Sequence, residues 1–138
     1  MTTKFITMEA RYTNITMGYG CEWVAVAKFD TVEEAIEYGF TNVKRGMATS
    51  GNFKVVEKTM NEETFEITEK DVAKFDYFYG VVRPARAEKI KEEIAELEKK
   101  VARARTENGK AKAEKKIAEL REEIEEIEEA KAKAFVRY

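Results

Sequence analysis

The chain has 138 residues, of which 43% are apolar and 38% charged, a size that suits one compact domain with an appendage and excludes a multidomain enzyme. Its 25 basic and 27 acidic residues give a formal net charge of −2, so generic binding to a nucleic-acid backbone is disfavoured. There is no histidine and only one cysteine, Cys21, which argues against a zinc site, a disulfide framework and a nucleophile activated by histidine. We therefore expect no catalytic activity and no metal or other cofactor.

Two features of the sequence bear on its location. The N-terminal segment has no basic stretch followed by an apolar core, and no uninterrupted apolar run is long enough to span a bilayer. From this pattern we expect a cytoplasmic protein without a membrane partner.

The first thirty residues predict two strands. Residues 4–12 are rich in β-branched and aromatic types, which favour a strand, and a polar reversal containing glycine follows at 14–20. Residues 22–29 are almost continuously apolar, which predicts a buried strand at the centre of the sheet. Beside it, Cys21 is expected to be a buried, unreactive thiol.

A single helix is predicted after the second strand. Thr31 and Glu34 match a capping box, and apolar residues then recur at helical spacing. The pattern predicts a helix over residues 32–44 that ends near Gly46.

Three further strand segments are predicted before the C-terminal region. Residues 53–60 and 64–68 flank a polar turn and predict a β-hairpin. The aromatic stretch 72–82 predicts a last strand, and Pro84 then suits the first turn of a helix, where its missing N–H costs nothing.

Two apolar seams at coiled-coil spacing dominate the C-terminal region. They are separated by residues 106–110, in which Asn108 and Gly109 tolerate the left-handed backbone that ends a helix. An antiparallel pair of helices with its reversal at Asn108 and Gly109 is therefore predicted. The seam positions, which recur every three or four residues, are Ala87, Ile90, Ile94, Leu97, Val101, Ala104, Ala113, Ile117, Leu120, Ile124, Ile127 and Ala134.

Together these elements predict an α+β fold: a small, mostly antiparallel sheet with one helix, followed by a C-terminal antiparallel two-helix coiled-coil hairpin. The predicted domains are residues 1–83 and residues 84–138. Because a two-helix seam buries little apolar area, the hairpin is expected to pair with another copy in a dimer or larger homo-oligomer. Neighbouring lysine and glutamate pairs would instead stabilise a lone hairpin, and this alternative stays open.

The candidate ligand-binding residues are aromatic and arginine side chains, which can stack on a base and pair with phosphates. Most of the aromatic residues here are expected to belong to the core. Because only one face of an alternating strand can be buried, either Tyr77 and Tyr79 or Phe78 stays available for a ligand. Arg86, predicted in the first helical turn, opposes the helix dipole there, and a bound anion would offset that cost. Arg103 and Arg105 are predicted to lie on different sides of their helix, so they would share one ligand only across a dimer. The full set is Phe78, Tyr79, Arg83, Arg86, Arg103 and Arg105.

The run from Arg11 to Ala35, RYTNITMGYGCEWVAVAKFDTVEEA, combined with the predicted sheet and the two C-terminal helices, resembles the first type of phage anti-Thoeris sponge proteins. The resemblance covers most of the chain. It implies a dimeric, non-catalytic protein that sequesters cyclic ADP-ribose isomers made by TIR-domain immune enzymes in the host cell cytoplasm. It also implies that aromatic and arginine residues hold the base and phosphates, although the candidate residues above are chosen by their chemistry and not carried over by motif.

Two other functions are compatible with the sequence. The helical hairpin would suit a protein-protein interaction module, such as an inhibitor or adaptor that takes no small ligand. Nucleic-acid binding through the basic residues near the hairpin tip is less favoured, because much of the remaining surface is acidic.

Overall fold

A computed structural model describes residues 1–13 and 20–138 of the chain. It contains two compact units, one formed by Met1–Phe78 with Ala134–Tyr138 and the other by Tyr79–Lys133. The first unit is an antiparallel five-stranded sheet with one helix, and the second is a pair of helices. The predicted α+β class is confirmed. The reversal predicted for residues 14–20 lies outside the described residues except for Gly20.

The sheet has the strand order β2-β1-β3-β4-β5, and every neighbouring pair is antiparallel. The first two strands contain Thr2–Tyr12 and Cys21–Phe29, and the third, fourth and fifth contain Thr49–Met60, Ile67–Phe75 and Phe135–Arg137. The long strands β1 and β3 pair on both sides and form the middle of the sheet.

The placement of residues 22–29 at the sheet centre is wrong, because β2 is an edge strand. Its apolar residues are half-buried or exposed, and the thiol of Cys21 is exposed instead of buried. A run of apolar residues does not reveal how many strands pair with it. Among the described residues only β1 pairs with β2, and a register shift near Thr7 and Met8 interrupts that pairing.

The predicted capping box at the start of α1 (Val32–Asn42) is confirmed. The Thr31 hydroxyl oxygen accepts the Glu34 backbone N–H at 3.3 Å, and the same hydroxyl donates to the Glu34 carboxylate at 2.9 Å. The helix ends before the predicted Gly46, because the backbone at Val43 is already extended, with φ −84° and ψ 109°.

The core of the first unit lies between α1 and one face of the sheet. Phe53 and Val55 of β3 are fully buried there with Ala35 of α1. Gly39 allows the close approach, since a Cβ atom at that position would lie 2.4 Å from the Phe53 ring. The buried Thr7 hydroxyl donates to the Ala35 carbonyl at 2.7 Å, which ties β1 to the helix.

The strand predictions between residues 64 and 82 are partly wrong. A single strand, β4, replaces the two predicted segments, and Phe78–Val82 forms a π-helical turn that leads directly into α2. The chain leaves the sheet at Asp76, whose backbone N–H donates to the Ala134 carbonyl at 2.8 Å. The next backbone N–H, that of Tyr77, donates to the Asn52 side chain at 2.7 Å. These two bonds end the strand that the aromatic composition alone would have extended.

The second unit consists of α2 (Arg83–Arg103) and α3 (Glu107–Ala132). The predicted seam is confirmed for its isoleucine and leucine residues, which form one apolar cluster along the two helices. It is wrong for Ala104, which follows the end of α2, and for Ala134, which belongs to the sheet unit. The reversal at Asn108 and Gly109 is wrong, since both residues lie in the first turn of α3. Thr106 caps that turn by accepting the Gly109 N–H at 3.1 Å, so the chain turns at residues 104–106.

The strand β5 (Phe135–Arg137) corrects the predicted domain boundary, because the sequence pattern places residues 134–138 with the helical hairpin. Phe135 packs 5.2 Å from Phe40, measured between ring centroids, and Arg137 pairs with Glu33 at 3.0 Å. The pKa of Glu33 is held below its usual value, first by a hydrogen bond from its own backbone N–H and second by Arg137. The ionised Glu33 carboxylate therefore stabilises the fold at pH values above its unfolded-state pKa. That stabilisation is lost as the pH falls through the lowered pKa of the folded state.

Candidate ligand-binding site

A cleft in the first unit lies between α1 and the strands β1 and β2. Its volume is about 440 Å³, within the range of roughly 300–1,000 Å³ that is usual for small-molecule sites. The cleft thus has room for a small polar ligand. It is lined by Glu9, Arg11, Val24, Ala25, Val26, Tyr38, Asn42 and Val43.

An ion pair from β1 forms one side of this cleft. Glu9 and Arg11 are two residues apart on the strand, so their side chains share a face. The Glu9 carboxylate accepts a hydrogen bond from Arg11 Nε at 2.5 Å, and the side chains are 12% and 46% exposed respectively. The carboxylate is therefore held in place, while the guanidinium reaches solvent and makes no other hydrogen bond to the described residues.

The opposite side of the cleft comes from the last turn of α1. Tyr38 and Asn42 are four residues apart, so they occupy the same helix face. The Tyr38 ring packs against Phe29 with 5.5 Å between ring centroids. The exposed Asn42 side chain donates to the Tyr38 carbonyl at 3.3 Å, which leaves its amide oxygen and its second N–H for a ligand.

Sequence analysis missed this cleft, although both of its polar pairs leave a signal. Glu9 and Arg11 alternate with apolar residues on β1, and Tyr38 and Asn42 have the helical i, i+4 spacing. What the sequence did not indicate is that α1 lies over β1 and β2 and brings the two pairs to one cavity.

The structure brings together only part of the predicted set. Arg83 of α2 lies over the Tyr79 ring, with its guanidinium carbon 5.8 Å from the ring centroid, a cation–π contact within the second unit. Phe78 belongs to the first unit and is half exposed. Tyr79 and Arg83 are therefore the two members of the predicted set that the structure places in contact.

The other three arginines are dispersed. Arg86 lies in the first turn of α2, as predicted, but the π-helical turn before Arg83 continues the helical backbone, so the positive end of the helix dipole lies further from Arg86 than the prediction assumed. Arg103 ends α2, which has 21 residues and is therefore about 30 Å long. Within one chain it cannot reach a small ligand at Arg83. Arg105 lies outside the helix, so the prediction that it shares a helix with Arg103 is also wrong.

No protein-family model, no curated protein and no solved structure matches this chain. Among the described residues, no cluster of acidic or cysteine side chains is arranged to hold a metal ion. None of the helices in the described part of the chain is both long and apolar enough to cross a membrane.

Proposed function

We propose that this protein is a non-catalytic binding protein of the host cytoplasm that sequesters a cyclic nucleotide signal, a cyclic ADP-ribose isomer, and so blocks anti-phage defence. The observation that supports this proposal is the α1 cleft, where a guanidinium, a carboxylate, an amide and an aromatic ring surround one cavity. The segment that carries the family resemblance also contributes to the cleft, because it contains Arg11 and the strand β2.

Each part of a cyclic ADP-ribose isomer has a chemical counterpart in the cleft. Phosphate oxygens accept charge-assisted hydrogen bonds from Arg11. Ribose hydroxyls donate to the Glu9 carboxylate, and the amide of Asn42 can both donate to and accept from the edge of a base. Tyr38 offers a ring for stacking.

Replacing Asn42 or Arg11 with Ala is expected to weaken binding of cyclic ADP-ribose or one of its isomers. Loss of a hydrogen bond to a charged group costs about 1.5–3 kcal/mol, or roughly tenfold to a hundredfold in affinity, so Arg11→Ala should have the larger effect. Isothermal titration calorimetry measures both changes. Asn42→Ala is the safer variant for folding, because its side chain is exposed, whereas Arg11→Ala leaves the buried Glu9 without its partner.

Arg45→Ala is the matched control, because Arg45 is exposed and does not line the cleft. Arg83→Ala and Arg86→Ala test the site predicted from the sequence. If binding weakens in these two variants and is unchanged in Asn42→Ala and Arg11→Ala, the binding site lies near Tyr79 and Arg83 and not in the cleft. Equal affinity in all five variants would contradict both assignments.

We further propose that the hairpin pairs with a second copy. Ala95, Ala102, Ala118 and Ala132 are exposed on its surface and small enough for close helix approach. A shallow groove of about 240 Å³ runs beside Val101, Ile117 and Ala118 on the same unit, which offers a second helix an apolar surface. Light scattering on the full chain tests this, and a mass equal to one chain would contradict it.

The alternative function is a protein-protein interaction module that acts through the hairpin. It is favoured by the acidic run on α3, whose glutamates form no ion pair with any described lysine or arginine and so suit a basic surface on another protein. Native mass spectrometry of protein exposed to a nucleotide-rich lysate separates the two functions, since a retained small mass supports sequestration. The run consists of Glu119, Glu122, Glu123, Glu125, Glu126, Glu128 and Glu129.

A further inference from the structure

The face of the sheet that α1 does not cover presents two lysines side by side. Phe53 and Val55 pack in the core under α1, so Lys54 between them points to the opposite face. Lys74 alternates with core residues of β4 in the same way, and in the register of the sheet it stands directly opposite Lys54. The two ammonium groups therefore share one surface.

Both lysines reach the same tryptophan. The Nζ atoms of Lys54 and Lys74 lie 4.8 Å and 5.8 Å from the centroid of the Trp23 ring. Trp23 comes from β2, on the far side of β1, where it stands opposite the small, buried Ala10. Side chains from three strands thus converge on one place, on the sheet face opposite the α1 cleft.

The charges at this place are not balanced. Asp71 pairs with Lys54 at 3.4 Å, whereas Lys74 forms no ion pair with any described residue. Like charges directly opposite each other destabilise an antiparallel pair. The Lys54 side chain is only 17% exposed, so water screens this repulsion less than at an open surface. An anion between the two ammonium groups would relieve it.

We propose that Lys54, Lys74 and Trp23 form a binding site for the phosphate group of a small phosphorylated ligand. A diphosphate or a phosphate monoester carries enough negative charge to pair with two ammonium groups at once, and lysine is a compact point charge suited to phosphate. The indole provides a flat apolar wall beside the anion. This site is separate from the α1 cleft and does not depend on the function proposed for it.

The site can be followed by fluorescence, because Trp23 is the only tryptophan in the chain. Titrating the full chain with inorganic pyrophosphate, at constant ionic strength, should give a saturable change in Trp23 emission. Lys74→Gln should weaken the apparent affinity roughly tenfold or more, since one charged partner is lost. Circular dichroism of the variant checks that the sheet is intact.

Lys28→Gln is the matched control. Lys28 lies on the same face of the sheet as Trp23, because their partners on β1, Ile6 and Ala10, are four residues apart and the register shift in the β1–β2 pairing takes up the extra residue of β2. The two residues are therefore about 13 Å apart at the rise of a strand. Its replacement should leave the titration unchanged. The proposal would be overturned if the fluorescence shows no saturable response or if sodium chloride reproduces that response. It would also be overturned if Lys28→Gln and Lys74→Gln lose the same apparent affinity for pyrophosphate.

Two further titrations identify the source of the phosphate. Adenosine diphosphate should bind at least as tightly as pyrophosphate if the indole contacts the rest of the ligand. A single-stranded oligonucleotide that binds tightly, when pyrophosphate and adenosine diphosphate do not, would overturn the assignment to a small ligand. Failure of the α1 cleft to bind a nucleotide leaves all of these results unaffected.

Discussion

Phe53→Ala is expected to lower the free energy of unfolding of the sheet unit by about 3–5 kcal/mol, because the substitution removes a large ring and leaves a cavity. The Phe53 ring is fully buried. It lies 5.0 Å from the Phe40 ring and 5.5 Å from the Phe75 ring, measured between centroids, and the Gly39 backbone closes over it. Because these neighbours come from both α1 and β4, no single element can shift to fill the space.

Urea denaturation followed by the emission of Trp23 measures this change, since the indole belongs to the same unit. Phe65→Ala is the control, because it is the same substitution at a ring that is 73% exposed in the β3–β4 turn. It should change the unfolding free energy by well under about 1 kcal/mol. A similar loss in both variants would contradict the described core.

Replacing Ile94 and Ile124 together with Asp is expected to melt the hairpin. Ile94 is buried in the seam and Ile124 packs against the same cluster. Two carboxylates in this position would have to leave water without a partner, at a cost of several kcal/mol, about as much as such a thin seam contributes. Most of the helical circular dichroism signal of α2 and α3 should disappear, and any dimer formed through the hairpin should dissociate.

Ala95→Asp with Ala118→Asp is the matched control, because these residues are exposed neighbours on the same two helices. This pair should retain the helical signal, since each substitution lowers helix propensity by only about 0.7 kcal/mol. If this double variant keeps its helical signal but is monomeric, the surface that contains Ala95 and Ala118 is the contact between copies. Retained helical signal in the Ile94 and Ile124 double variant would contradict the seam.

The hairpin could be predicted from the sequence because its signal is local and redundant. Each seam repeats its spacing over several turns, so a single ambiguous position does not alter the pattern. The turn was misplaced because Asn108 and Gly109 are good helix terminators in general. In this chain the threonine cap at Thr106 starts α3 before them.

The sheet was predicted less completely because its order depends on contacts between distant residues. The apolar composition of β2 is the same for a central strand as for an edge strand that covers a core on one face. Nothing in residues 135–137 distinguishes a short strand from the end of the helical hairpin, since β5 depends on Phe75 as the partner of Phe135 and on contact with the Phe40 ring. The exit from β4 likewise depends on Asn52, which is distant in sequence.

The candidate site, like the order of the strands, depends on contacts between residues that are distant in sequence. Aromatic and arginine residues were selected by type, and the structure places Tyr79 with Arg83 but disperses the others along α2 and beyond it. The α1 cleft combines residues from β1 and α1 that are about thirty positions apart, and only the packing of the helix on the sheet brings them together. The site was therefore not accessible from spacing along the chain.

Sequestration of an unchanged nucleotide is the central claim, and recovery of the bound molecule tests it most directly. The full chain is incubated with cyclic ADP-ribose or one of its isomers, separated from free nucleotide, and heated to release what it holds. Chromatography of the released material should return the intact cyclic molecule, in an amount that falls in the Arg11→Ala and Asn42→Ala variants. Recovery of a linear or cleaved nucleotide, or of no nucleotide from the unmodified chain, would contradict the claim.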